Sequence, residues 1–290
     1  MKKNITVLGA GAMGSRVATR LLEAGYSVSI YNRSRSRASA LINAGATYCE
    51  TPVQAVARAD IVISMLTDDL AARAVWLDKK NGAMQGMKPG AIAIESSTLS
   101  IACITELSAV FAQQGISFLD APVVGSRPQA ESGALVFLVG GSQATLARVE
   151  LFLSFLSSAV YHMGENGTGA IMKLAVNAFF GIQVAAFGEV TGWLKKSGID
   201  QQQSIELFNK LPVMSPALQG ISKLLASENY QPFFPIDLVE KDFAYMLKQA
   251  AQVNAQTPCV VATHKSYQQA IKKGYGGDNI SGVVRLWGEC

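Results

Sequence analysis

Residues 4–31, NITVLGAGAMGSRVATRLLEAGYSVSIY, decide how the chain is read. Ile5 to Leu8 form a short apolar run leading into Gly9-Ala10-Gly11-Ala12-Met13-Gly14. Ser15 to Ala24 continue with helical periodicity as far as Gly25, and Tyr26 to Tyr31 alternate as a strand. The order is strand, GxGxxG turn, helix, strand. Three spaced glycines alone are a weak signal, but in this order they describe a dinucleotide-binding unit. Glycines let the backbone approach a pyrophosphate, and the helix N-terminus presents free N–H groups to it. A glycine-rich turn without a ligand is the competing reading.

At the end of the second strand, about 20 residues on, an NAD enzyme carries an acidic residue for the ribose hydroxyls. Here the chain reads Asn32-Arg33-Ser34-Arg35-Ser36-Arg37. A carboxylate there would repel a 2′-phosphate, whereas guanidinium and hydroxyl groups bind one. The residues predict NADP(H) over NAD(H). An exposed helix start with surface arginines is the alternative.

Further along, strand and helix signals alternate. Ala59 to Leu66 read as strand, Asp68 to Leu77 as helix, Ala91 to Glu95 as strand and Ile101 to Gln114 as helix. Phe118 to Val124, Leu135 to Val139 and Val160 to Met163 read as further strands. Such alternation implies a mostly parallel sheet with helices on both faces, and ligands sit beyond the carboxyl ends of its strands. Two of those ends stand out, Glu95-Ser96-Ser97-Thr98 and Asp120-Ala121-Pro122-Val123-Val124-Gly125-Ser126. The small residues of the second, continuing as RPQAESGAL, either leave backbone N–H groups open to a carboxylate or form an ordinary surface turn. Thr98 either completes that site or caps a helix.

From Gly164 the pattern changes to helices at roughly 168–196, 201–209, 216–227, 236–254 and 258–273. This places a domain boundary near Met163, with domains at 1–163 and 164–290. The first of these helices is apolar except for Lys173 and Asn177, four apart and so on one face. An ammonium group there costs several kcal/mol unless it is hydrated, paired or used. Alone, Lys173 reads as a solvated lysine. Adjacent Lys241 and Asp242 are expected to splay apart on their helix.

Bulk properties narrow the function class. At 290 residues, 49% hydrophobic and 16% charged, the chain fits a soluble protein of two domains. A net charge of +4, from 25 basic and 21 acidic residues, is too small to argue for nucleic acid. Cys49, Cys103, Cys259 and Cys290 lack CxxC spacing, and with only His162 and His264 no zinc site is credible. Reduced thiols point to the cytoplasm. Met1-Lys2-Lys3 precede a glycine-broken run unlike a signal-peptide core. The stretch 170–194 contains Lys173, Asn177, Gln183 and Glu189, which a membrane span would bury at high cost, so a buried soluble helix is expected and no membrane partner.

Taken together the chain resembles the β-hydroxyacid dehydrogenase family over essentially its whole length. The matching signatures are GxGxMG at Gly9 to Gly14, Ser97-Thr98, DAPV-x-G with Gly133-Ala134-Leu135, Gly167-x-Gly169-x3-Lys173-x3-Asn177, and Lys241-Asp242. Asn32-Arg33, Met65 to Asp68, RPQAESGAL and Tyr230 to Pro235 look most like glyoxylate and succinic semialdehyde reductases. The resemblance implies an α/β fold, with an N-terminal Rossmann-type doubly wound sheet and an all-α C-terminal domain joined by a long interdomain helix. It also implies NADP(H) as cofactor, a small carbonyl or hydroxy-acid substrate, and a homodimer or homotetramer.

Carried over by position, it makes Lys173 catalytic with Asn177 beside it. Thr98, Pro122, Val123, Val124, Gly125, Phe234 and Asp242 fall to the substrate. Gly9, Gly11, Ala12, Met13, Gly14, Asn32, Arg33, Ser34, Met65, Leu66, Thr98 and Lys241 fall to the cofactor. Val124 departs from the family pattern, which has serine after the DAPV valine. A hydroxyl that would bind a carboxylate is missing, worth roughly 1.5–3 kcal/mol. A 3-hydroxyisobutyrate-type dehydrogenase, an imine reductase and a non-catalytic NADP-binding scaffold are the alternatives. Imine reductases typically lack the lysine found at 173, and an intact Lys173 and Asn177 argue against a scaffold.

Overall fold

The apolar run after Lys3 becomes strand β1 (Asn4–Leu8) because both of its sides find apolar partners: Ile5 and Val7 enter one buried cluster and Leu8 another. The computed structural model describes residues 3–288; Met1, Lys2 and Cys290, which entered the sequence reading, lie outside them. The other strands are β2 (Ser27–Tyr31), β3 (Thr47–Tyr48), β4 (Ile61–Ser64), β5 (Ile92–Glu95), β6 (Ser117–Asp120), β7 (Val123–Val124), β8 (Leu135–Gly140) and β9 (Ser157–Gly164). They form one nine-stranded sheet in the order β3-β2-β1-β4-β5-β6-β8-β7, with β9 paired to β8.

From β3 to β6 every pairing is parallel, as helical crossovers between successive strands require. Ile30, Ile61, Ile63 and Ile94 belong to one face's cluster, and Val62, Ala93, Trp76 and Phe111 to the other's. Burial on both faces explains why these strands read as continuous apolar runs.

Two local expectations change. The run Phe118 to Val124 is not one strand: β6 ends at Asp120, Pro122 intervenes, and β7 pairs antiparallel with β8. A proline cannot donate to a ladder, so the strand breaks there. The RPQAES segment, read as open loop, is a short helix, Arg127–Ser132, with Pro128 in its first turn and Gly133 ending it at φ 70°.

The chain divides into two compact units after Lys173, beyond the pattern change near Met163. The first turn of the helix Thr168–Lys196 belongs to the sheet unit for a visible reason. Asp120, at the end of β6, accepts hydrogen bonds from the Gly167 N–H at 2.7 Å and the Ala170 N–H at 2.9 Å. Gly169 lies so close to the sheet that a Cβ there would fall 2.3 Å from the Leu138 carbonyl oxygen.

The second unit is helical. It contains the rest of that helix, Gln201–Phe208, Pro216–Ala226, Ile236–Gln252, Pro258–Lys272 and a closing pair of turns over 280–288. Its core gathers Ala178, Val184, Phe187, Val239, Phe243, Tyr267 and Val283.

Candidate active site

The three glycines of the first turn do different things. Gly9 sits at φ 98°, and a Cβ there would lie 2.4 Å from the Met65 carbonyl oxygen. A Cβ on Gly14 would lie 1.9 Å from the Gly9 carbonyl oxygen. Gly11 has nothing within 4 Å of the same position. The outer two are fixed by packing, and the middle one leaves open ground where the helix Ala12–Glu23 begins. That helix has Gly11 as its N-cap with no side-chain cap, so its first N–H groups, from Ala12 and Met13 on, are not served by a cap. This is the cradle that a dinucleotide's pyrophosphate fits.

Beyond β2, the Asn32 carboxamide is committed to the protein. Its Oδ1 accepts from the Ala10 N–H at 3.0 Å and its Nδ2 donates to the Ser34 carbonyl at 2.8 Å, tying the glycine turn to the next loop. Arg33, Ser34 and Arg37 are exposed. Arg35 pairs with Glu50 at 2.8 Å and lies 4.9 Å over the Tyr48 ring.

At the ends of β4 and β5, the Leu66 N–H donates to Ser97 Oγ at 2.7 Å, while Met65 and Leu66 back the first glycine. Glu95, which sequence reading noticed only as part of a strand end, is fully buried. It accepts from Trp76 Nε1 at 2.7 Å and from the Ser97 N–H at 2.8 Å. Burial pushes its carboxyl up, against the pull of these donors. Thr98 is half-buried and does not cap the following helix: Ser100 caps Ile101–Gln113.

Along the next strand end Pro122 and Val123 are buried, Val124 half-buried and Gly125 exposed at φ 123°. The open backbone seat expected there is partly closed. The Ser126 N–H donates to Gln129 Oε1 at 2.9 Å, because the segment turns into a helix whose third residue reaches back to its cap. Asp120, absent from the predicted set, is fully buried at the head of this segment. Burial raises its carboxyl, opposed by the Gly167 and Ala170 N–H groups. A carboxylate at a strand end reads alike whether solvated or buried, so no signal in the residues themselves marked it.

Lys173 and Asn177 are 9% and 7% exposed, one turn apart on the helix Thr168–Lys196. Within the helical unit, Asn177 Nδ2 donates to Asp242 Oδ2 at 2.6 Å, and Asp242 is 2% exposed. Lys241 does not splay away from its neighbour. Its ammonium lies 3.0 Å from Asp242 Oδ1 and 4.7 Å over the Tyr245 ring. Neighbouring Cβ positions diverge, but a four-carbon stem is long enough to return the charge to a buried carboxylate that needs it. Phe234 is half-buried on the same unit's core.

Comparison with known proteins agrees with this anatomy. Residues 4–164 match the family model of the NAD binding domain of 6-phosphogluconate dehydrogenase. Residues 167–287 match that of the NAD-binding domain of NADP-dependent 3-hydroxyisobutyrate dehydrogenase. The chain is 32% identical to glyoxylate/succinic semialdehyde reductase 2, chloroplastic, of Arabidopsis thaliana, over 97% of this chain and 78% of the relative. It is 27% identical to 2-(hydroxymethyl)glutarate dehydrogenase of Eubacterium barkeri, over 99% of this chain and 96% of that one. The solved structure of Mycobacterium tuberculosis 3-hydroxyisobutyrate dehydrogenase with L-serine superposes with a TM-score of 0.89 at 26% identity, covering 99% of each chain. A glycine cradle at the head of a parallel sheet, an all-helical second unit and whole-length relatives of one kind identify this chain as an NAD(P)-dependent oxidoreductase that belongs to the β-hydroxyacid dehydrogenase family.

Proposed function

We propose that this enzyme is an NADPH-dependent reductase of small aldehydes, semialdehydes or keto acids, of the glyoxylate and succinic semialdehyde type, with Lys173 as proton donor. The observation that carries the reading is the burial of Lys173 one turn from Asn177. An ammonium withdrawn from water costs several kcal/mol and is retained where it is used. The similarity to the Arabidopsis reductase supports the substrate class.

When bound, the reduced nicotinamide supplies a hydride to the carbonyl carbon. The Lys173 ammonium stabilises the negative charge that develops on the carbonyl oxygen and delivers the proton to it. Asn177 holds that ammonium in place. Because its Nδ2 is given to Asp242, its carbonyl oxygen is the group it offers to a cation. Gly9 to Gly14 and the helix start hold the pyrophosphate, and Met65 and Leu66 support that turn. Arg33 and Ser34 bind the 2′-phosphate, and Asn32 braces their loop. The family resemblance assigns Lys241, whose charge is held by Asp242, to the cofactor. The same resemblance assigns Thr98, Pro122 to Gly125, Phe234 and Asp242 to the substrate. Val124 brings no hydroxyl, so either a substrate carboxylate is bound without one or the natural substrate is less acidic, bulkier or more apolar.

Steady-state assays with glyoxylate, succinic semialdehyde and cyclic imines, using NADPH and NADH, test the reading. Turnover of the aldehydes with a higher kcat/KM for NADPH is expected. Lys173→Ala is expected to lower kcat by about 10²–10⁴-fold with NADPH affinity near wild type, the range of a lost general acid. Retained turnover in that variant, or equal efficiency with NADH, sinks the corresponding part. The match over residues 167–287 favours a second reading, oxidation of β-hydroxy acids of the 3-hydroxyisobutyrate type, which the same assays with oxidised cofactor distinguish.

A further inference from the structure

Phe234 lies in the run Tyr230 to Pro235, which has no regular secondary structure of its own up to the helix Ile236–Gln252. Such a segment holds a side chain in one place only if its backbone is pinned from outside. Here the pin comes from some 45 residues further along. Asn279 is 1% exposed, and its single Oδ1 accepts from the Phe234 N–H at 3.0 Å and the Phe233 N–H at 3.2 Å. Its Nδ2 donates to Ser281 Oγ at 3.0 Å, which fixes the orientation of the amide.

The backbone around it completes the clamp. The Ile280 N–H donates to the Phe234 carbonyl at 2.8 Å, the Asn279 N–H to the Tyr230 carbonyl at 3.0 Å and the Ile236 N–H to the Asp278 carbonyl at 2.9 Å. Arg285 adds a brace from outside, paired with Asp278 at 3.0 Å and stacked 3.9 Å over Tyr275 and 5.5 Å from Tyr230.

We infer that Asn279 is a positioning residue for substrate selectivity: its side-chain oxygen, holding both N–H groups of Phe233-Phe234, sets where the Phe234 ring stands. The inference rests on the reading above that Phe234 shapes the substrate end. Two partly buried N–H groups that share one acceptor both lose it when the amide is removed, and the segment then relaxes toward water. Asn279 touches neither substrate nor cofactor in this account. It acts through the ring, so its removal alters discrimination between substrates of different length more than it alters cofactor binding.

The test compares Asn279→Ala, Asn279→Asp, Phe234→Ala and the double variant Phe234→Ala/Asn279→Ala in the intact enzyme. The readout is the ratio of kcat/KM for succinic semialdehyde to that for glyoxylate, with NADPH affinity measured alongside. Phe234→Ala is expected to shift the ratio by about tenfold or more, the scale of a lost pocket contact. Asn279→Ala should shift it in the same direction by at least about threefold, with NADPH affinity unchanged, and should add nothing in the Phe234→Ala background.

Asn279→Asp keeps the oxygen for both N–H groups and can accept from the Ser281 hydroxyl, so it should hold the wild-type ratio. A general loss of folding would lower both efficiencies together and leave the ratio where it was. If Asn279→Ala does not accumulate, Asn279→Ser, whose hydroxyl sits one bond nearer its own backbone and falls short of the two N–H groups, takes its place with the same ratio deciding. An unchanged ratio in Asn279→Ala or Asn279→Ser beside a shifted one in Phe234→Ala overturns the inference and leaves the reading of Phe234 standing. An unchanged ratio in Phe234→Ala overturns that reading, and the inference with it.

Discussion

Gly11 and Gly14 are three positions apart and have opposite tolerances. A methyl group on Gly14 would meet the Gly9 carbonyl oxygen at 1.9 Å, a backbone atom that cannot step aside. Gly14→Ala should therefore cost about 1–3 kcal/mol or more, as overpacking of a tight contact does, and lower the melting temperature. A methyl group on Gly11 would meet no protein atom within 4 Å. Gly11→Ala should stay within about 1 kcal/mol of wild-type stability, the scale of an altered N-cap, yet bind the dinucleotide at least about tenfold more weakly. Calorimetry and titration of intrinsic fluorescence separate the two effects, and wild-type affinity in Gly11→Ala would end the assignment of the pyrophosphate to this turn. What sequence reveals at this scale depends on the kind of residue. The glycines are legible because their spacing fixes their geometry. Lys173 and Asn177 are legible as a pair because a four-residue interval puts them on one helix face. Glu95 and Asp120 are not, because a carboxylate at a strand end reads the same whether it is solvated or buried. Only the tertiary donors, Trp76 Nε1 for one and the Gly167 and Ala170 N–H groups for the other, show that each is inside.

The helix Thr168–Lys196 was readable to the residue, since its apolar run is long and both ends are marked. The short pieces were not. Arg127–Ser132 is under two turns, too short for periodicity to register, and β6 and β7 merge into one run unless Pro122 is given its full weight. Sequence also does not show what seats the long helix. The Glu165 carbonyl accepts from the Thr168 N–H at its start, and a further anchor is Asp120, from a strand end some 50 residues earlier. Asp120→Ala leaves two buried N–H groups without an acceptor and should cost about 1–3 kcal/mol for each. Asp120→Asn, which keeps one acceptor, should fall between. The pH dependence has a definite sign. Burial raises this carboxyl, so the folded state keeps its proton longer than the unfolded state does. Stability then falls as pH rises from the ordinary carboxyl range through the raised value. In thermal melts across that range, the deficit of Asp120→Asn relative to wild type should shrink toward higher pH. A deficit that grows instead would mean that the hydrogen bonds to the charged form outweigh the cost of burying it.

At the scale of the molecule, the outer face of the same helix poses the remaining problem. Met172, Ala175, Phe179, Ala186, Val190 and Trp193 are all exposed, and their intervals of three, four and seven place them along one side. Phe179 is 67% exposed and Trp193 65%, while the opposite side carries the buried Lys173, Asn177, Val184 and Thr191. A surface helix ordinarily turns polar residues outward. By length and composition this one could cross a membrane, and half of its most apolar stretch is buried within the structure. A lipid-facing span would be apolar on all sides, whereas here the inner face carries a lysine, an asparagine and a threonine. We propose a second copy of the chain as the cover for the outer stripe. Burying one large apolar side chain is worth about 1.5–3 kcal/mol, so Phe179 and Trp193, contributed by both copies, supply a substantial part of what a stable dimer needs. Light scattering at micromolar concentration without detergent should give a dimer or tetramer mass. Phe179→Glu and Trp193→Glu, which place charges in the stripe, should shift the protein toward monomer. A monodisperse wild-type monomer removes the proposal, and wild-type protein that stays in solution only with detergent or vesicles reassigns the stripe to lipid.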